Sequence, residues 1–328
     1  MIGQGQITRE FERAMGNWVD VDDGVAVGSG SAAVLLALTA LQIVKGDEVI
    51  LPSYVCQSVL EAVRSTGATP VLCDIGHDWL ITPENIGGLI SRQTKCIIVP
   101  HVYGFFADVL AFRKFGLPII EDCAQAVSAK KTWTICGDIA IFSFHPTKCL
   151  TTGEGGMAVS PSVDLVHAMR VIRDGSQNAS RGRLFSPMSD ISAALGLAQL
   201  AHYEEALDKR RVIAARYRSA LSEVIPQCLP EPMSRKTMYF RFPIKIAGGL
   251  DYYRNLFDEK NVCVRRGVDK LLHRFMELSD TRFPVSVRLF ETTLSLPIYP
   301  ALTDEELNRS IDAAVEIFSK HHPKSQLQ

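Results

Sequence analysis

Short apolar runs alternate with helix-like stretches through the first half of the 328-residue chain. The apolar runs predict strands at residues 48–51, 69–75, 95–102, 118–122 and 138–144. The stretches around them predict helices at about residues 32–44, 54–65, 83–91 and 107–115. Because buried strands that alternate with helices form βαβ units, this pattern predicts an α/β fold with a mostly parallel sheet.

The pattern differs in the second half of the chain. Residues 191–218 are rich in alanine, leucine and charged side chains, which predicts one long helix linking two units. Strand-like segments such as YFRFPIKI, NVCVRRG and TTLSLPI follow, and a helix is predicted at residues 303–318. We therefore predict a large domain at residues 1–205, and a linker helix with a small α+β C-terminal domain at residues 206–328.

The net charge of the chain is too small to attract polyanions such as nucleic acid. The chain has 35 Lys and Arg against 36 Asp and Glu, a net charge of -1, so neither nucleic acid nor an anionic membrane is an expected partner. With 47% hydrophobic and 22% charged residues, the composition is that of an ordinary globular protein. A small anionic ligand therefore needs a local binding site.

The eight cysteines are scattered singly, without a Cys-x-x-Cys pair or a set of nearby histidines, so we expect no structural zinc or other metal site. Several lie in apolar runs, where a reduced thiol acts as a small hydrophobic group, and this indicates a cytoplasmic location. The first residues lack the apolar core of a signal peptide, and no apolar run reaches transmembrane length.

Polar residues cluster where the predicted strands end. His101 and Tyr103 follow one apolar run, Asp122 ends the next, and Ser143 begins the segment SFHPTK that leads to Lys148. Because ligands of open parallel sheets bind at the carboxyl ends of the strands, these residues are candidates for one site.

Each candidate also has an ordinary structural interpretation. The segment GSGSAA at residues 28–33 opens a helix, where it binds a phosphate or merely caps the helix. Asp122 pairs with a pyridinium nitrogen or caps a helix. Lys148 is a desolvated amine nucleophile or a solvated surface residue. His101, Tyr103 and His145 are candidate substrate contacts, although an isolated histidine is more often a packed side chain.

Taken together, these segments resemble the DegT/StrS-type sugar aminotransferase family, whose members have the aspartate aminotransferase-like (type I) fold of enzymes that use pyridoxal 5'-phosphate (PLP). The resemblance rests on segments in the family's order, SGSAAVLLAL, KGDEVILPSY, GATPVLCDI, PHVYG, IIEDCAQA, GDIAIFSFHPTKCLTTGEGGM, DISAALGLAQL and LSLPIYPALTDEEL. The block at residues 137–157 is the most specific. The resemblance implies a three-layer large domain.

The resemblance also implies roles for individual residues. Lys148 holds PLP as a Schiff base and moves the catalytic proton, and Asp122 pairs with the pyridine nitrogen. Gln125 lies near the phenolic oxygen of the cofactor. The phosphate is bound by Ser143 together with the helix start, that is by Gly30, Ser31 and the amide of Ala32. The family's active site lies at a subunit interface, so a homodimer is expected.

Three positions depart from the family pattern. Cys56 stands where an aromatic ring normally covers the cofactor, while Tyr54 is close by in sequence. Phe185 replaces an asparagine that reaches the partner subunit's phosphate, a role left open to Ser186, Asn178, Arg181 or Arg183. The segment before Phe11 and Glu12, which helps to bind substrate in the family, is mostly missing.

The sequence therefore predicts a PLP-dependent aminotransferase that moves an amino group from glutamate, or a similar donor, to a keto sugar. The acceptor is expected to be nucleotide-linked, in polysaccharide or secondary-metabolite biosynthesis. Two alternatives stay open, a different PLP reaction on a non-nucleotide substrate and a regulatory family member without turnover. The sugar, the nucleotide and the roles of Arg265 and Arg266 are not determined by the sequence.

Overall fold

The computed structural model describes residues 3–130, 132–175, 184, 186–229 and 237–321. The strands in these ranges are β1 (Gly24–Val27), β2 (Glu48–Pro52), β3 (Thr69–Cys73), β4 (Thr94–Pro100), β5 (Ile119–Asp122), β6 (Ile139–Ser143), β7 (Gly156–Val159), β8 (Phe242–Lys245) and β9 (Thr293–Leu296). The helices are α1 (Gln6–Trp18), α2 (Gly30–Ala40), α3 (Gln57–Ser65), α4 (Pro83–Ile86), α5 (Val163–Asp174), α6 (Asp190–Ala201), α7 (Tyr203–Leu221), α8 (Leu250–Asp258), α9 (Leu272–Phe275), α10 (Pro284–Thr292) and α11 (Asp304–His321). Within these ranges, no helix combines the length and the apolar character that crossing a membrane requires.

Seven strands form the large sheet in the order β1-β7-β6-β5-β4-β2-β3. The strands from β3 to β6 in that order are parallel, and only β7 runs antiparallel to its neighbours β1 and β6. Alternate residues of β4 enter different cores, with Cys96 and Ile98 packed in the cluster that contains α2 and α3, and Ile97 and Val99 in another. Because both faces are covered, the predicted three-layer α/β fold is confirmed.

A second core surrounds the two-stranded sheet of β8 and β9, which are antiparallel. Phe242 and Leu294 from these strands pack with Ile213 of α7, Phe257 of α8 and Phe318 of α11. The predicted domain boundary near residue 205 falls inside α7 and stays a prediction.

The helix predicted at residues 191–218 is wrong as a single element, because α6 and α7 are separate. His202 lies between them with φ -112° and ψ 8°, outside the helical region. The next residue, Tyr203, is anchored in the large domain, where its hydroxyl donates to the carbonyl of Val127 at 2.9 Å and its ring packs edge-on against Trp18. This anchor sets the direction in which α7 leaves the large domain.

Three other predicted elements differ from the structure. The segment Val109–Phe115 is a 3-10 helix rather than an α-helix, and it ends at Gly116, whose φ of 65° only glycine adopts readily. The helix predicted at residues 83–91 is the short α4 followed by a 3-10 turn. The segment NVCVRRG is not a full strand, since only Arg265 bridges to Ser295.

A buried ion pair fastens α1 to the large sheet. The carboxylate of Glu12 is inaccessible to solvent, binds the guanidinium of Arg173, and accepts a hydrogen bond from the Ala26 amide at 2.9 Å. We expect Glu12→Gln to lower the free energy of unfolding by about 3 kcal/mol, because Arg173 loses its fully buried anionic partner and is left with Asp174, whose side chain is 41% exposed. Urea denaturation measures the loss.

The double variant Glu12→Gln/Arg173→Met is the matched control, since it removes both charges. It should recover much of the stability lost in Glu12→Gln. A loss below about 1 kcal/mol in the single variant would contradict a role for this pair in holding α1.

Candidate active site

Three neighbouring parallel strands end at the same edge of the large sheet. Pro100 at the end of β4 lies opposite Asp122 of β5, which in turn lies opposite Ile141 of β6. The segments that leave this edge carry His101 and Lys148. The structure thus brings together residues that are up to 47 positions apart in the sequence, as the strand-end rule predicts.

Lys148 lies in the turn after β6 and is largely withdrawn from solvent. Its amide donates to the carbonyl of His145 at 2.9 Å, and its Nζ lies 5.3 Å from the ring centroid of Phe240. Burial lowers the pKa of Lys148, because desolvation disfavours the ammonium, while the charges of Asp122 and Cys56 act in the opposite direction. A neutral amine is therefore accessible at lower pH than for an ordinary lysine.

Asp122 ends β5 with only 5% of its surface exposed. Its Oδ1 accepts a hydrogen bond from the Ala124 amide at 2.9 Å, whereas Oδ2 has no hydrogen-bond partner among the residues that the structure describes. Burial raises the pKa of Asp122, opposed by the Ala124 amide and the nearby Lys148. A buried carboxylate with one open oxygen is suited to binding a cationic group.

The start of α2 adjoins the end of β6. A Cβ on Gly30 would lie 2.7 Å from the Cβ of Ser143, so only glycine allows this approach. Ser31 is exposed in the first turn, and the Ala32 amide donates to the Ser29 hydroxyl at 3.1 Å. The Ala32 amide, expected to bind phosphate, is thus used by the helix cap, which leaves the start of α2 at Gly30 and Ser31 and the Ser143 hydroxyl as the candidate phosphate cradle.

These groups match the chemical groups of PLP. The cradle at Gly30 and Ser143 suits its phosphate, Asp122 suits its pyridine nitrogen, and Lys148 offers a desolvated amine for its aldehyde. Lys148, Ser143 and Phe240 line a cavity of about 10 Å³.

Gln125 and Tyr103 form a rigid unit beside this cavity. Gln125 Oε1 accepts a hydrogen bond from the Tyr103 amide at 3.0 Å, and the Tyr103 hydroxyl lies 2.7 Å from that of Tyr54. Tyr103 is fully buried with φ 59°, and a Cβ on Gly267 would collide with its hydroxyl. Burial raises the pKa of Tyr54 to about 12. Both tyrosines are therefore neutral hydrogen-bonding groups.

Cys56 is exposed at the start of α3 and accepts a hydrogen bond from the Ser58 hydroxyl at 3.3 Å. It lies close enough to Lys148 to influence its pKa. Phe185 lies outside the described residues, as do the candidate replacements Asn178, Arg181 and Arg183. The remaining candidate is described, since the Ser186 carbonyl accepts a hydrogen bond from the Gly28 amide at 2.9 Å.

His101 is buried, and both of its ring nitrogens bind protein groups. Nδ1 accepts from the Ala107 amide at 3.1 Å, so Nε2 carries the proton and donates to Glu121 Oε2 at 3.0 Å. This arrangement favours a packing role over the predicted substrate contact.

His101, Glu121 and Cys123 are close enough to share a metal ion, yet the Glu121 carboxylate also binds the amides of Cys136 and Gly137. These contacts already use the ligand atoms of His101 and Glu121.

His145 lies at the mouth of the site, with half of its side chain exposed. Its Nδ1 lies 2.9 Å from the Thr147 hydroxyl, and its Nε2 lies 4.0 Å from Glu154. This position leaves the predicted contact between His145 and a substrate open.

Phe240 and Arg241 adjoin Lys148 and were not identified from the sequence. Phe240 lines the same cavity as Lys148, and the Arg241 guanidinium carbon lies 5.5 Å from the Phe240 ring centroid. They belong to a segment about 90 residues later in the chain, before β8. No local pattern in that segment indicates a site.

The lowered pKa of Lys148 predicts how PLP capture depends on pH. Only the neutral amine attacks an aldehyde, and an ordinary lysine titrates near 10.5. We expect the rate at which PLP-free protein takes up PLP to rise with pH and to level off below that value. Stopped-flow absorbance over a range of pH measures this profile.

Asp122→Asn is the matched variant for this pH profile of PLP uptake. The charge of Asp122 stabilises the ammonium of Lys148, so removing it should move the midpoint to still lower pH. A midpoint that moves upward in this variant would contradict the electrostatic coupling of the two groups.

Comparisons with known proteins agree with the site. Residues 1–315 match a family model described as the DegT/DnrJ/EryC1/StrS aminotransferase family. The chain is 32% identical to the UDP-N-acetyl-3-dehydro-alpha-D-glucosamine 3-aminotransferase of Acidithiobacillus ferrooxidans, over 93% of this chain and 87% of that protein. It is 29% identical to the GDP-perosamine synthase of Vibrio cholerae, over 96% and 92% of the two chains. Its fold is similar to that of S. venezuelae DesV in complex with a ketimine intermediate, with a TM-score of 0.89, 28% identity and coverage of 97% and 91%.

Proposed function

Because the chain belongs to the DegT/DnrJ/EryC1/StrS aminotransferase family, we propose that it moves an amino group from glutamate to a nucleotide-linked keto sugar. The enzyme class and the PLP cofactor follow from family membership. The relatives above act, by their names, on UDP- and GDP-linked sugars or make such sugars. The product would serve polysaccharide or secondary-metabolite biosynthesis.

One observation carries this proposal for the site. The desolvated amine of Lys148 faces the same strand edge as the buried carboxylate of Asp122, beside the cradle at Gly30 and Ser143. This set offers a nucleophilic amine, an anion for a ring nitrogen and a phosphate site at one edge of the sheet.

Individual residues of the chain would have different roles in the amino transfer. PLP, when bound, supplies the electron sink that weakens the bonds at the substrate carbon bearing nitrogen. Asp122 holds a positive charge on the ring nitrogen, and Ser143 with the first turn of α2 anchors the phosphate. The Lys148 amine moves the proton between the substrate carbon and the cofactor carbon. Gln125, fixed by the Tyr103 amide, borders the ring's position.

The direct test supplies PLP, glutamate and a panel of UDP-, GDP- and dTDP-linked keto sugars to the purified enzyme. We expect one member of the panel to yield an amino sugar, identified by mass spectrometry, with one 2-oxoglutarate formed per amino group transferred. Uptake of PLP and reaction with glutamate without amination of any nucleotide-linked sugar would contradict the proposed acceptor. The different PLP reaction would then be favoured.

The surface of α6 supports the proposal of a homodimer. Ile191 and Leu195 are 66% and 42% exposed, and their spacing of four residues places them on one face with the exposed Ala194 and Ala198. An apolar helix face of this kind is typical of an interface between subunits. Light scattering should give twice the mass of the chain, and Ile191→Asp should shift the protein towards monomer.

The cysteines support a cytoplasmic location. All eight lie within the described residues and none of them is joined in a disulfide there, and Cys73, Cys96, Cys123 and Cys228 are buried. Reduced cysteines persist in the cytoplasm rather than in oxidising compartments.

A further inference from the structure

A second, larger cavity also borders Phe240. It has a volume of about 460 Å³, which is within the range of small-ligand sites, and Thr147, the neighbour of Lys148, also lines it. Phe240 lines both this cavity and the small one at Lys148. The rest of the lining comes from α7, the segment before β8, residues 261–265, β9 with the residues that follow it, and α11. A ligand that occupies it therefore lies next to the side chain that borders Lys148.

The lining of this cavity is strongly cationic. It includes four arginines, Arg210, Arg241, Arg265 and Arg309, against the single carboxylate of Glu306. Glu306 is held by the amide and hydroxyl of Thr303 at 2.9 and 3.0 Å, and its single negative charge is too little to offset four guanidinium groups. The cavity thus presents an excess of positive charge to whatever it binds.

Two of the four arginines already bind groups of the protein itself. Arg210 donates to the carbonyls of Tyr239 and Ile298 at 3.0 and 2.9 Å, and so ties α7 to the segments around β8 and β9. Arg309 pairs with Glu305 at 3.6 Å on the surface of α11. Arg241 and Arg265 form no ion pair with any residue that the structure describes.

Arg241 is the cation closest to the reacting centre. Its guanidinium carbon and the Lys148 Nζ lie 5.5 and 5.3 Å from the centroid of the same Phe240 ring. Its Nε is buried without a hydrogen-bond partner among the described residues. Burial lowers the pKa of Arg241, and the neighbouring Arg265 acts in the same direction, while Tyr103 opposes it. A cation in such surroundings is stabilised by an anion.

Arg266, by contrast, does not line the cavity. Its guanidinium stacks 4.3 Å from the Phe290 ring centroid and lies 3.8 Å from Asp251. The adjacent arginines therefore have different roles, and only Arg265 is available to a ligand in this cavity.

We propose that Arg241 and Arg265 bind the carboxylates of the amino donor, a dicarboxylic amino acid. The inference rests on the proposed function, since it assigns the donor's place in that reaction. In an amino acid, the α-carboxylate is bonded to the carbon that carries the amino group, so its anionic site must lie beside Lys148. In a nucleotide-linked sugar, the sugar ring separates the diphosphate from the keto carbon, which places that anion farther away. Arg241 therefore fits the donor.

The test compares Arg241→Gln with Arg241→Lys, and uses Arg254→Gln as the control because Arg254 lies on α8 outside the cavity. Arg241→Gln should raise the KM for glutamate about tenfold or more, because a charge-assisted, two-pronged contact is lost. The KM for the keto sugar should stay within about twofold. Arg241→Lys should recover part of the loss, and Arg254→Gln should behave as wild type.

A second measurement does not depend on turnover. Glutarate, an unreactive dicarboxylate, is titrated into the PLP-loaded protein by calorimetry, where Arg241→Gln should weaken binding about tenfold or more. If Arg241→Gln does not fold, Arg265→Gln at an exposed position serves for the same comparison.

The outcomes separate this inference from the proposed function. Glutarate binding that is absent in wild type, or unchanged in the folded variant, overturns the carboxylate site even if the enzyme aminates nucleotide-linked sugars. A variant that loses affinity for the nucleotide-linked sugar and keeps its affinity for glutamate also overturns it. Arginine-dependent glutarate binding by an enzyme that aminates no nucleotide-linked sugar leaves the site intact and rejects the proposed acceptor.

Discussion

Lys148→Ala is expected to slow amino transfer by about a thousandfold or more, the largest loss for any single substitution in this protein. Lys148 is the one residue in the described cleft that offers an amine beside Asp122, and burial has lowered its pKa so that the amine is accessible. The substitution removes both the covalent attachment of PLP and the group that moves the proton. An alanine adds no charge and no bulk, so the surrounding turn should keep its fold.

Single-turnover absorbance with glutamate measures this loss, because the first half of the reaction is observed apart from product release. Lys209→Ala is the matched control, since Lys209 lies on α7, half-exposed and paired with Glu205. Added methylamine should restore part of the rate in Lys148→Ala and leave Lys209→Ala unchanged. A Lys148→Ala enzyme within about tenfold of wild type would show that the proton moves through another group.

Asp122→Asn should lower the same rate by about a hundredfold to a thousandfold, comparable to the removal of one preorganised electrostatic contact from a buried site. The asparagine oxygen can still accept from the Ala124 amide, so the end of β5 should keep its geometry. What is lost is the negative charge, which would hold a proton on the ring nitrogen. PLP should still bind, because Lys148 and the phosphate cradle remain.

This prediction separates the binding of PLP from the rate of the reaction with glutamate. We expect the visible absorption band of bound PLP to persist in Asp122→Asn while the glutamate reaction slows. Asp258→Asn, an exposed carboxylate at the end of α8, is the control. Weaker PLP binding together with an unchanged rate at saturating PLP would indicate that Asp122 serves the fold rather than the chemistry.

The parts of the fold that follow from local pattern could be predicted from the sequence. The apolar runs that became β2 to β6 are long enough to be recognised, and parallel strands must place their carboxyl ends together. That constraint alone brings Asp122, Ser143 and Lys148 to one edge. The roles of these residues came from the family resemblance, and for the individual side chains they remain predictions.

Other features depend on contacts that no local pattern records. No strand was predicted at β1 or β7, and β7 takes its place in the sheet by pairing antiparallel with both β1 and β6. The break between α6 and α7 comes from the burial of Tyr203 against the large domain. Phe240 and Arg241 adjoin Lys148 because the segment before β8 packs on the large domain, where Met238 and Phe240 lie against the core that contains Phe144.

The measurement that tests the central claim most directly is peptide mass spectrometry after borohydride reduction of the PLP-loaded protein. Our account predicts a pyridoxyl adduct on the peptide that contains Lys148, on no other lysine, and absent when the enzyme has first been incubated with glutamate. An adduct on a different lysine, or none on a protein that has taken up PLP, would contradict the assignment of Lys148 as the residue that carries the chemistry.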